Sequence, residues 1–92
     1  MMEGTSEMPA QRIVVAPTMA HARRHGYARG WRVLTDPEQA RGVVIHPGDQ
    51  VVHVGWGDDN VTSSSFDRRD VINDMLRVAA LKGGAQWSEV VS

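Results

Sequence analysis

The 92-residue chain predicts a small α/β domain, a three-stranded, mainly parallel sheet flanked by helices. Three observations lead there. Ile13-Val14-Val15-Ala16 is a continuous apolar run stopped by Pro17, the pattern of a strand covered on both faces. A helix-compatible stretch follows it, and then Trp31-Arg32-Val33-Leu34-Thr35, which is rich enough in aromatic and β-branched residues for a second strand. Strands joined through a helix pair in parallel with a right-handed crossover. Late in the chain, Val71, Met75 and Val78 with Ile72, Leu76 and Ala79 form a wide apolar stripe at helical spacing.

Taken in order, residues 1–11 (MMEGTSEMPAQ) lack apolar periodicity and are expected to be a flexible lead-in. Residues 12–84 are the expected domain. After the first strand, Thr18 is a candidate N-cap for a helix from Met19 to about His25, with Arg23 and Arg24 on its exposed side. Gly26 can end that helix, with Tyr27 packing back on the last turn; a longer helix ending at Gly30 competes. Asp36 as N-cap, Pro37 at the first helical position and Gln39 three beyond the cap predict a short helix that Gly42 stops.

Two readings fit residues 43–55. Val43–His46 and Gln50–Val54 can form a hairpin around Pro47-Gly48, which suits the centre of a type II turn. Alternatively, the first run is a connector and the second is the third parallel strand. The second reading is preferred, because the short helix before Gly42 already supplies a crossover. A turn at 55–60 and a Ser/Thr loop at 61–65 precede the helix expected over 67–82. Ser64 or Ser65 can cap it, Asp67 and Asp70 suit its positive end, and Gly83-Gly84 ends it. The tail 85–92, with Trp87, Val90 and Val91, is read as an edge strand or as a cover for the sheet.

One domain of this size buries about 60–65% of its unfolded surface, so its stability margin is thin. An apolar content of 41% supports one core. No apolar run approaches the ~20 residues that span a bilayer, and no secretory h-region follows Met1, so no membrane association is expected. The absence of cysteine excludes disulfides and thiolate metal ligands and fits a cytoplasmic protein. Net charge is −1, which gives no global argument for nucleic acid. The distribution is uneven: residues 11–41 hold six Arg against Asp36 and Glu38, while residues 42–92 hold four cations against seven carboxylates. Such a dipolar pattern can steer a partner or be compensated internally.

Several residue sets carry candidate chemistry. Ligands of parallel sheets sit beyond the carboxyl ends of the strands. There, Asp36, Asp58 and Asp59 with Thr18 offer oxygen ligands for Mg²⁺, although Asp36 is explained as a cap and Asp58-Asp59-Asn60 as a turn. His21 and His25 have the four-residue spacing of a metal pair, with His46 or His53 as a third ligand, but His21 is followed by Ala22 where H-E-x-x-H has glutamate. No serine or threonine has a visible base partner. The expectation is therefore a protein that is not an enzyme and holds no metal or cofactor. Arg12, Arg23, Arg24, Arg29, Arg32 and Arg41, with Tyr27 and Trp31 among them, read as a nucleic-acid face. Exposed Trp and Arg also anchor protein interfaces. That reading assigns a partner surface to Trp56, Trp87, Tyr27, Arg23, Arg24 and Arg29, and allows homodimerisation through an open strand edge.

The segment Ile13-Val14-Val15-Ala16-Pro17-Thr18 resembles the VVAPT strand-and-turn of the ATPase cores of phage terminases and helicases. Thr35-Asp36-Pro37-Glu38-Gln39-Ala40-Arg41-Gly42, followed by a valine-rich strand, resembles the approach to the Walker B strand there. The chain is similar also to small accessory proteins of actinobacterial phages that keep such a fragment. The likeness covers about residues 12–57 and implies a minimal Rossmann-like unit. It departs where ATPase chemistry would sit: there is no G-x-x-x-x-G-K-[ST], and the third strand ends Gly55-Trp56-Gly57-Asp58-Asp59 instead of Asp-Glu. What the resemblance implies is a non-enzymatic phage-type accessory protein that binds and modulates a host protein. The alternative is a nucleic-acid-binding accessory factor that uses the N-terminal arginines.

Overall fold

A computed structural model describes residues 10–90 of the chain. Strand β1 (Arg12–Val15) leads through helix α1 (Met19–Arg24) to β2 (Arg32–Leu34). A 3-10 turn (Pro37–Ala40) and a connector then reach β3 (Gln50–His53), and the long α2 (Ser63–Gly83) and one-turn α3 (Trp87–Val90) follow. The three strands form one all-parallel sheet in the order β2-β1-β3. This is the α/β class expected. The expected lead-in lies mostly outside the described residues, as do Val91 and Ser92.

The central strand explains the unbroken apolar run. Ile13, Val14 and Val15 are each 0% exposed because neighbours lie on both edges and both faces. Ile13 pairs with Arg32 and Val51, and Val15 with Leu34 and His53. Side chains alternate across the sheet. Ile13 and Val15 enter the main core with Leu34, Val51, Ile45, Ile72, Leu76 and Ala79, whereas Val14 points to the other face. The β1–β2 and β2–β3 connections run in opposite directions along the sheet, so right-handed crossovers put α1 on one face and the 3-10 turn with its connector on the other; α2 packs on that second face, with the connector, over Ile13 and Val15.

Local signals set most element ends. Thr18 Oγ1 accepts from His21 N and caps α1. Gly26, at φ 82°, closes the helix: its N–H donates to Arg23 O and that of Tyr27 to Ala22 O. That double bond pattern ends the helix here and not at Gly30. Asp36 and Gln39 form the reciprocal capping box ahead of Ala40. Residues 43–46 are a connector, so the hairpin does not form; Ile45 is fully buried and its N–H donates to Ala79 O at 3.1 Å. The Pro47-Gly48 turn closes through Asp49 N–H to His46 O, with Gly48 at φ 96°.

Two elements differ from expectation. Helix α2 starts at Ser63 and not near Asp67, because Thr62 is the cap, its Oγ1 accepting from Ser65 N. The serines therefore form the first turn, and neither Ser64 nor Ser65 caps. The tail adds no edge strand over residues 87–90: it turns into α3 and drops Val90, 5% exposed, into the core. Among the described residues no helix is long and apolar enough to cross a membrane.

Candidate functional site

The carboxyl ends of β1 and β3 meet at the point where strand order reverses, the usual ligand crevice of open parallel sheets. Here the loop after β3 folds onto the first turn of α1. Gly55, at φ 81°, makes this possible: a Cβ there would lie 2.9 Å from His21 Cβ and 3.3 Å from Pro17 Cδ. His21 is buried beneath it, with Nδ1 2.7 Å from Thr18 Oγ1 and Nε2 3.4 Å from Asp59 O. Both ring nitrogens of His21 thus face a polar partner within the protein.

The other candidates at this end are engaged one by one. Asp58 binds His25 Nε2 at 2.8 Å and Arg24 at 3.5 Å. The bond from His25 holds the Asp58 carboxyl below its ordinary value; burial works against that, and the charges of His25, Arg24 and His21 add to it. Asp36 accepts from Glu38 N as a cap, and Asp59 meets His21 through its backbone oxygen. The acidic pocket of Asp36, Asp58, Asp59 and Thr18 is thus not assembled, and His21 and His25 turn to different partners. Among the described residues no group of three or more His, Asp or Glu side chains is placed to share a metal ion.

The structure does not gather the expected contact residues into one patch. Trp56 is a structural anchor: Nε1 donates to Val15 O at 3.0 Å, and the ring packs 5.4 Å from Phe66 and under the Arg69 guanidinium. Trp87 packs half-buried at the opposite end of α2, beside Arg77, Ala80 and Leu81. Fifteen residues of α-helix between Phe66 and Leu81 put about 22 Å between those ends. Tyr27 meets Trp31 edge-on at 4.9 Å, and Arg12 lies 5.9 Å over the Trp31 ring. Arg23 and Arg29 are exposed, while Arg24 is drawn to Asp58. Arg32 and Arg41 bond to Gln39 O and Glu38.

Buried Asp49 and half-buried His53 have shifted titrations. Asp49, 7% exposed, accepts from Gln11 N, Gln11 Nε2 and His46 N at 2.7–2.9 Å. Burial pushes its carboxyl up, but the bonds from His46 and Gln11 outweigh that and hold it below its ordinary value. His53 is held below the ordinary imidazole value by burial, and the Arg69 charge adds to the effect.

The concave feature that sequence reasoning did not reach lies on α2. The main core takes Ile72, Leu76 and Ala79 from the wide stripe and leaves the parallel row on the surface. Val71 is 48% and Val78 51% exposed, and Met75 is half-buried. Asp74, Met75, Val78 and Lys82 face Arg41, Val43 and Val44 across a groove of about 370 Å³. The signal was present in the stripe itself, which is wider than one face of a thin sheet can cover. No protein-family model, curated protein or solved structure matches the chain.

Proposed function

We propose that the chain is a non-enzymatic, phage-type accessory protein that binds and modulates a host protein in the host cytoplasm. The contact surface is the groove between α2 and residues 41–44. One observation carries this reading: half-buried Met75 and exposed Val78 line a concave apolar surface on α2, and Val71 is exposed one turn before Met75. Single exposed apolar side chains are ordinary, but a row lining a groove marks an interaction site. Spacing of four and three residues along a helix suits a partner helix or an extended segment laid into the groove. Arg41 and Lys82 line the same groove with Asp74, a net positive rim that favours a partner with acidic residues beside its apolar ones. The tryptophans then serve the fold.

The test is capture of a host protein from a GC-rich actinobacterial lysate, with nuclease and across a salt series. Wild type should retain one stoichiometric protein after nuclease, and Val78→Asp should lose it while keeping its circular dichroism. Capture unchanged by Val78→Asp contradicts the groove.

A second reading, nucleic-acid binding, is favoured by exposed Arg23 and Arg29, close in sequence to Tyr27 and Trp31, and by Arg12 over the Trp31 ring. It requires capture that disappears with nuclease, falls steeply with salt, and is abolished by Arg23→Glu with Arg29→Glu.

A further inference from the structure

The uncovered side of α2 is shaped and charged to receive a second copy of the same chain. We propose that two copies associate through α2, antiparallel about a twofold axis at Val78, and that the host protein displaces the second copy. This rests on reading the exposed side of α2 as an interaction surface.

The first observation is the apolar content of that side. Leu81 is 78% exposed, the most exposed large apolar side chain among the described residues, and Val71 and Val78 are about half exposed. With half-buried Met75 they lie within an arc of about 120° around the helix and over about 15 Å of its length. Val71, Val78 and Leu81 stand seven and three residues apart, the spacing of a coiled-coil seam. One such side chain would be ordinary, but four on one side of a helix form a seam that a second helix can cover.

The second is a charge pattern complementary to itself. Asp74 and Lys82 are both exposed on this side, one four residues before Val78 and the other four residues after it. A twofold axis at Val78 sets Asp74 of each copy at the level of Lys82 of the other, so the same pair forms twice. A parallel arrangement would instead set aspartate on aspartate and lysine on lysine. Among the described residues neither side chain is in a salt bridge. Asp74 also stands four residues after exposed Asp70, a like-charge spacing that destabilises a helix and that a cation from the second copy offsets. A uniformly acidic partner leaves Asp74 unmatched, whereas a second copy matches both charges. Exposed pairs of this kind are worth little each, so the apolar seam supplies the affinity and the charges fix the direction. The seam is short, which places the dimer in the weak, transient class.

Sedimentation equilibrium of the full-length chain at low salt, up to about 1 mM, the weak end of specific association, reads the oligomeric state. Wild type should rise with concentration from 10.1 kDa toward twice that mass. Leu81→Asp should weaken association at least tenfold with circular dichroism unchanged, because this side chain faces solvent. Charge reversal reads the direction. Asp74→Lys alone and Lys82→Asp alone each put like charges at both contacts and should weaken association several-fold. Their equimolar mixture restores both pairs and should recover it. Wild type that stays monomeric overturns the proposal. So does a dimer that Leu81→Asp leaves unchanged, or a mixture that associates no better than the two variants apart. Leu81 does not line the groove, so host-protein capture tested with Val78→Asp stays a separate readout of the groove.

Discussion

Replacing Asp49 by alanine should cost the fold about 3 kcal/mol. The carboxylate is buried and collects three N–H groups, two from backbone and one from the Gln11 side chain. The side chain keeps Val44 O as a partner, so the loss falls on the amides of Gln11 and His46. Stranding one N–H costs about 1–3 kcal/mol, about 2–6 kcal/mol for two, and water reaching the exposed His46 brings the sum toward the low end, about 3 kcal/mol. Against the 5–15 kcal/mol of an ordinary domain that is a large share, because the clamp fixes the start of the central strand to the turn before β3. Urea unfolding at neutral pH, read by tryptophan fluorescence, measures it. The pH dependence gives a second check. A carboxyl held below its ordinary value stabilises the fold fully above that value, about pH 4, and loses its contribution as pH falls through the lower folded value. Asp49→Ala should flatten that acidic limb. A change below about 0.5 kcal/mol with an unaltered acid limb would refute the clamp.

Other perturbations have equally definite outcomes. Gly55→Ala should cost about 2 kcal/mol, since its Cβ would strike His21 and Pro17 at a positive φ; unchanged thermal unfolding would count against the docking of that loop on α1. Trp56→Phe keeps an aromatic ring over Phe66 and loses the bond to Val15 O, a cost of about 1 kcal/mol plus some packing, whereas an equal or higher midpoint would remove Trp56 as an anchor. His53 has a folded pKa below its unfolded one, so its contribution is complete above about pH 6.5 and declines as pH falls toward the folded value. His53→Gln should reduce the slope of stability against pH in that window, and an identical slope would contradict the assignment.

The fold was legible where local chemistry and tertiary demand agree. Ile13-Val14-Val15 reads as a doubly covered strand because the central position imposes that composition, and the Asp36-Pro37-Gln39 box is complete within four residues. The start of α2 was hidden because three serines and Thr62 compete for one cap, and only the turn geometry picks Thr62. The tail turned helical because Val90 finds a place in the core, a long-range contact that no local pattern encodes. The site was less legible. Trp56 and Trp87 looked like interface anchors by type, but each has an intramolecular role set by residues distant in sequence. The apolar row of α2 was visible, yet its exposure depends on how much of a stripe the thin sheet and connector cover.

The most direct test of the groove is an equilibrium titration of the captured host protein against three full-length chains in nuclease-treated buffer. These are the wild type, Val78→Asp, and Arg23→Glu with Arg29→Glu. A carboxylate forced into the apolar row should weaken binding at least tenfold, about 1.4 kcal/mol, while the arginine variant stays within threefold of wild type. The reverse order, with Val78→Asp unchanged and the arginine variant inactive, would move the binding surface from α2 to the face around Tyr27 and Trp31.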